Sequence, residues 1–120
     1  MNINQIKLEN KFKLVEASAG TGKSFTLAHI VLRNVLEKKI KPEEILLLSF
    51  TKNTCSELRD KILSRFRDLK SFLLDQNVNQ IDDTLREWYI NFYKKEKSKK
   101  KIISEIDNFI NEIYKLQVTT

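Results

Sequence analysis

The sequence predicts an α/β fold, a parallel sheet built from the first half of the chain followed by a helix-rich C-terminal half. Two apolar runs predict buried strands: FKLVEA at residues 12–17 is short and precedes the glycines, and EILLLSF at residues 44–50 is continuous, too short for an independent helix and of the parallel, buried kind. A stretch with the 3.6-residue period of a helix separates them, which is the order of a parallel βαβ unit. Downstream of residue 54 the apolar residues again recur at helical spacing.

Each element has its own local reason. Residues 12–17 read as a buried strand. From residue 22 to about residue 38, Leu27, Ala28, Val31, Val35 and Leu36 share one helix face. Pro42 interrupts the pattern, and the preceding Lys41 is pushed to extended backbone. Residues 44–50 follow as the second buried strand. Thr54, with Glu57 three residues on, has capping-box spacing and is expected to open a helix bearing Cys55, Leu58, Ile62, Phe66 and Leu69. The polar stretch LDQNVNQIDD ends that pattern, and Asp82-Asp83 reads as the cap of the next helix, with Ile81, Leu85, Trp88, Tyr89 and Phe92 on its face. A last helix carries Ile102, Ile106, Phe109, Ile110 and Ile113. These stripes are core material, and His29, inside the first helix, reads as structural. No internal repeat is present.

At 120 residues, 41% hydrophobic and 32% charged, the chain has the composition of one folded domain with a modest core. No run approaches the roughly 20 apolar residues needed to cross a bilayer. The N-terminus has no secretory pattern and Cys55 is the single cysteine, so a cytoplasmic setting is expected. The net charge of +6 is concentrated: residues 94–101, KKEKSKKK, hold six lysines against Glu96 and contribute +5 of it. This block is expected to be an exposed basic linker between two helices, either simply solvated or facing a polyanion.

Both glycines of the chain, Gly20 and Gly22, fall in ASAGTGKS, which comprises Ala17, Ser18, Ala19, Gly20, Thr21, Gly22, Lys23 and Ser24. A strand, a glycine turn, Lys-Ser and then a helix is an arrangement that grips nucleotide phosphates. Backbone N–H groups must converge on the phosphate oxygens, and a side chain on the loop would block that approach. Lys23 suits the β- and γ-phosphates, and the Ser24 hydroxyl suits Mg²⁺. The tetrad G-x-G-K-[ST] arises by chance in only about 0.4% of chains of this length and average composition. ATP and Mg²⁺ are therefore the expected ligands, although Ala17 stands where the strict loop pattern has glycine.

LVEASAGTGKSFTLA together with ILLLSFTKNTCSELRDKI resembles superfamily-one DNA helicases of the UvrD/Rep type, in particular the beta-subunit group of exodeoxyribonuclease V. That group is similar in having alanine at the position of Ala17. The helicase motif Ia is matched by Ser49, Phe50 and Thr51, then Glu57, Leu58 and Arg59, with Ser49 replacing the more usual threonine. The terminal VTT resembles the start of the motif T-x-H-[GS]-F. The resemblance is strong over residues 12–63 and weaker beyond. It implies a motor that hydrolyses ATP to move along single-stranded DNA, with Phe50, Thr51, Lys52 and Asn53 near the DNA strand. It also offers Gln5 as an adenine-reading candidate.

The resemblance further implies a partial P-loop NTPase (RecA-like) sheet remnant. Residues 1–75 would be the first part of the motor domain, 76–117 a helical insertion containing the basic linker 94–101, and 118–120 the start of a further strand. The acidic pair and arginines that hydrolysis requires have no match here, so no catalytic residue is assigned and the chain is expected to bind nucleotide without turnover. In the family, strands from later motifs lie between the loop strand and the motif Ia strand. Without them, residues 12–17 and 44–50 would pair directly or stay apart, and an exposed apolar sheet surface would favour self-association. A small P-loop nucleotide kinase and a helical DNA-binding module with a vestigial loop are the alternatives.

Overall fold

The structure, a computed structural model, describes residues 12–15, 23–48, 52–75 and 81–119, with the backbone alone at 12–15, 23–24, 48, 54 and 119. The first apolar run forms β1 (Phe12–Val15), and the helix after the glycines is α1 (Lys23–Lys38). A 3₁₀ turn at Pro42–Glu44 leads into β2 (Ile45–Leu48). Three helices follow, α2 (Lys52–Leu74), α3 (Asp83–Glu96) and α4 (Lys99–Glu112), and a second 3₁₀ turn precedes β3 (Gln117–Thr119). The fold is thus a helix-rich α/β arrangement around a small sheet.

Local chemistry accounts for most boundaries. At the end of α1 no glycine is available, and Lys39 takes the left-handed conformation that glycine normally fills (φ 57°). Lys41 is extended before Pro42, and its N–H donates to Glu44 Oε1 at 2.9 Å. Asp82 caps α3 as the sequence predicts, its carboxylate accepting from Leu85 N–H at 2.8 Å. The cap expected at Thr54 is not where α2 begins. The helix starts at Lys52, so Thr54 lies inside its first turn, one of the small boundary shifts that local spacing cannot resolve. The basic block also differs from the expected linker. Lys94 and Lys95 form the last turn of α3, only Lys97 and Ser98 connect, and residues 99–101 open α4. Ser98 caps that helix through Lys101 N–H, which lets it start three residues earlier than the apolar pattern alone suggests.

The sheet order is β1-β2-β3 and both pairings are parallel. The two apolar runs of the first half pair directly, Phe12 beside Ile45 and Val15 beside Leu48. With right-handed crossovers, an order of this kind places every connecting helix on the same face of the sheet. Burial agrees: Ile45 and Leu47 are buried, while Leu46 between them is half-buried. Beside Leu46 in register stands exposed Gln117. Among the described side chains, then, the second face shows one half-buried leucine and one glutamine rather than the extended apolar surface expected.

One core serves both halves of the chain. Leu27, Val31, Leu36, Leu58, Phe66, Leu85, Ile102 and Ile106 belong to a single buried cluster, so α3 and α4 share the core of α1 and α2. Helix α1 is its centre, buried on every side from Leu27 to Leu36, including His29, Arg33 and Asn34. Helix α2 lies against α1 and α4, and the Phe66 and Phe109 rings stack with centroids 4.3 Å apart.

Candidate functional site

Parallel pairing in register makes the carboxyl ends of the strands level. Val15 pairs with Leu48, and Leu48 with Thr119, so all three strands finish along one edge. In open parallel sheets this is the edge where ligands bind, because the connecting loops and helix N-termini converge there. From β1 the chain reaches α1 after seven residues, 16–22, and from β2 it reaches α2 after three, 49–51. The predicted phosphate loop and the predicted DNA-facing motif therefore leave adjacent strands on the same side. Ala17, Ser18, Ala19, Gly20, Thr21 and Gly22 lie outside the described residues, as do Phe50, Thr51 and Gln5. Lys23 and Ser24 are the first two residues of α1, and Lys52 and Asn53 are the exposed first two of α2.

The electrostatics of that edge follow from backbone geometry. The first four N–H groups of a helix have no acceptor within it, and the summed peptide dipoles add partial positive charge. Carboxylates commonly neutralise such an end. Neither α1 nor α2 has an acidic residue in its first turn, in contrast to α3 with Asp83. Two helix N-termini with no acid in their own first turns, beside level strand ends, make an edge suited to anions, and a polyphosphate fits that donor set.

Behind α1 sits a buried polar cluster. Arg65, on α2, directs Nε and Nη2 at His29 Nδ1, at 3.0 and 2.7 Å. Its Nη1 donates to Asp82 Oδ2 at 2.7 Å, and its guanidinium lies 4.4 Å from the centre of the Phe25 ring. One side chain thus ties the first turns of α1 to α2 and to the cap of α3. Burial, then the charges of Arg65 and Arg33, lower the His29 pKa to about 3, so the ring is neutral with Nδ1 free to accept. Burial pushes the Asp82 carboxyl up, but the hydrogen bonds from Arg65 and Leu85 N–H outweigh it and hold the group below its ordinary value. A second link joins α1 to α3, with Glu37 accepting from Arg33 Nε at 2.7 Å and from Trp88 Nε1 at 2.6 Å.

Sequence reasoning missed Arg65, although a signal was there. Arg65 interrupts the stripe of Leu58, Ile62, Phe66 and Leu69 at helical spacing, and a cation on an apolar stripe requires buried partners. Arg59, noted only as part of motif Ia, has an architectural role: its Nη2 donates to the Leu116 carbonyl at 3.1 Å, just before β3. His29 is structural, as expected. Among the described residues no cluster of His, Cys, Asp and Glu could hold a metal ion, and no helix is long and apolar enough to cross a membrane.

A family model described as the UvrD/REP helicase N-terminal domain matches residues 2–119. The chain is 35% identical over 108 residues, 89% of its length, to the RecBCD enzyme subunit RecB of Borreliella burgdorferi. It is 39% identical over 75 residues, 56% of its length, to the Escherichia coli protein of the same name, and 39% identical over 74 residues, 55% of its length, to that of Haemophilus influenzae. These relatives are far longer, and the matches cover 8%, 6% and 6% of them respectively.

Proposed function

Because this chain belongs to the UvrD/REP helicase N-terminal domain family, we propose that it binds ATP with Mg²⁺ through residues 17–24 and forms the nucleotide-gripping part of a RecB-type DNA motor. The observation that carries this reading is the level carboxyl edge, where β1 and β2 each feed an acid-free helix N-terminus. In this reading the sheet is the RecA-like P-loop remnant. Gly20 and Gly22 leave room for the phosphates, Lys23 neutralises their charge, Ser24 holds Mg²⁺, and the α1 N-terminus supplies N–H donors. Residues 50–53, leaving the neighbouring strand, face the DNA backbone and bases.

The whole protein in this reading is a cytoplasmic ATP-dependent helicase and exonuclease. It acts on single-stranded DNA and duplex ends in double-strand-break repair and recombination, and it assembles with the gamma and alpha subunits of exodeoxyribonuclease V. The residues matched here include neither the acidic pair nor the arginines of hydrolysis, so the chain by itself holds nucleotide without turning it over. Titration with a fluorescent ATP analogue and Mg²⁺ tests this: saturable binding, abolished by Lys23→Ala, is expected. No binding at any concentration would leave the vestigial-loop reading, and multiple turnover lost in Lys23→Ala would overturn the inactive-fragment reading.

A further inference from the structure

We propose that the α3–α4 turn, with the adjoining end of α1, is a second binding surface, for the phosphate backbone of nucleic acid, separate from the carboxyl edge. Helix α1 has 16 residues and is about 24 Å long at 1.5 Å per residue, so its Lys38 end lies a full helix length from Lys23. At that far end Lys39 Nζ contacts Glu105 of α4 at 2.8 Å and Glu96 of α3 at 3.9 Å, which draws the turn onto the end of α1. A groove of about 490 Å³ there is lined by Lys38, Lys39 and Lys95 together with Glu37, held by Arg33 and Trp88, and Glu96, held by Lys39 and Lys101.

The local charges oppose what folding favours. Lys94 and Lys95 suit the negative C-terminal end of α3, but residues 99–101 place three lysines in the first turn of α4, at its positive end, with no acid among them. Lys97 adds a left-handed backbone (φ 54°) at a site glycine normally occupies. Of the block, Lys101 pairs with Glu96 at 3.1 Å, while Lys94, Lys95, Lys97, Lys99 and Lys100 have no acidic partner within 4 Å among the described residues. Lys38, exposed at the end of α1, has none either. Several positions that break local rules together, with five of the six lysines lacking an acidic partner among the described residues, mark a surface kept for a partner.

Lysines dominate this surface, and lysine is depleted at protein–protein interfaces but serves well in sequence-independent contact with phosphates. The partner is therefore a nucleic-acid backbone, bound without base preference and with strong salt dependence. This inference does not rest on nucleotide binding, and the two separate cleanly: Lys23→Ala leaves the surface intact, and changes to the turn leave ATP binding intact.

The test is fluorescence anisotropy with labelled oligo-dT and a blunt duplex at low salt, on the 120-residue chain. Replacing Lys94, Lys95, Lys97, Lys99 and Lys100 with glutamine is expected to weaken binding about 100-fold and to lower the salt slope by about 3 to 4. A second variant, Lys99→Glu with Lys100→Glu, guards against simple misfolding. It should raise the melting temperature by about 3 °C by relieving the α4 N-terminus, and still weaken DNA binding about tenfold. Failure of the unaltered chain to bind either DNA at low salt would overturn the proposal, as would unchanged affinity in both variants. Comparable affinity for poly-glutamate would overturn it too, by assigning the surface to acidic proteins.

Discussion

Helices α3 and α4 are matched in length, 14 residues each, and each begins with a side-chain cap, Asp82 for α3 and Ser98 for α4. There the likeness ends. The first turn of α3 carries Asp83 and its last turn Lys94 and Lys95, the charge order that a helix dipole favours. The first turn of α4 carries lysines only. Their attachment to α2 differs as well. Helix α3 adds a polar clamp, Asp82 on buried Arg65, to an edge-on contact of Tyr89 with Phe72, whereas α4 stacks Phe109 on Phe66 beside the Lys70–Asp107 pair at 2.6 Å. The contrast teaches that α3 is laid out for stability from end to end, whereas α4 is stabilised by its apolar face and spends its N-terminus on charge that folding does not need.

Breaking the α4 attachment should have the largest effect. Phe66→Ala removes a fully buried ring and with it the stacking on Phe109, and a loss of about 3–5 kcal/mol is expected in chemical denaturation. A loss below about 1 kcal/mol would mean that α4 is held by something other than this stack.

The polar clamp of α3 should show itself through pH. His29 is neutral in the fold with a pKa of about 3 against an ordinary 6.5, so between those values the unfolded chain binds a proton that the folded chain does not. Stability therefore falls as pH drops from about 6.5 toward 3, at up to about 1.4 kcal/mol per pH unit. Asp82, held below its ordinary value, adds a loss of the same sign only at the acid end of that window. His29→Gln keeps an acceptor for Arg65 while removing the titration, and should flatten the slope between pH 6 and pH 4 in denaturant melts. An unchanged slope would place the proton uptake elsewhere.

The smallest effect sharpens the comparison at the connection itself. Lys97→Gly relieves a left-handed lysine between the two helices and should stabilise the chain by about 0.5–1 kcal/mol in thermal unfolding. A destabilisation would show that the Lys97 side chain contributes to packing.

What the sequence determined by itself is whatever depends on residues three or four apart. The helix stripes, the Asp82 cap, the break at Pro42 and the strand and helix on either side of the glycines were all legible, because capping, periodicity and proline geometry act within one or two turns. Residues 94–101 were legible as charge but not as structure, since a short polar cap at Ser98 outweighs the run of like charges. Tertiary structure alone decided the rest. That β1 lies beside β2 and β2 beside β3 depends on backbone hydrogen bonds between segments distant in sequence, which carry no side-chain signature. The level carboxyl edge, from which both predicted site segments leave the sheet, exists only because of that register. The burial of Arg65 likewise needed partners 36 and 17 residues away, and a guanidinium enters a core only where the fold has already gathered its acceptors.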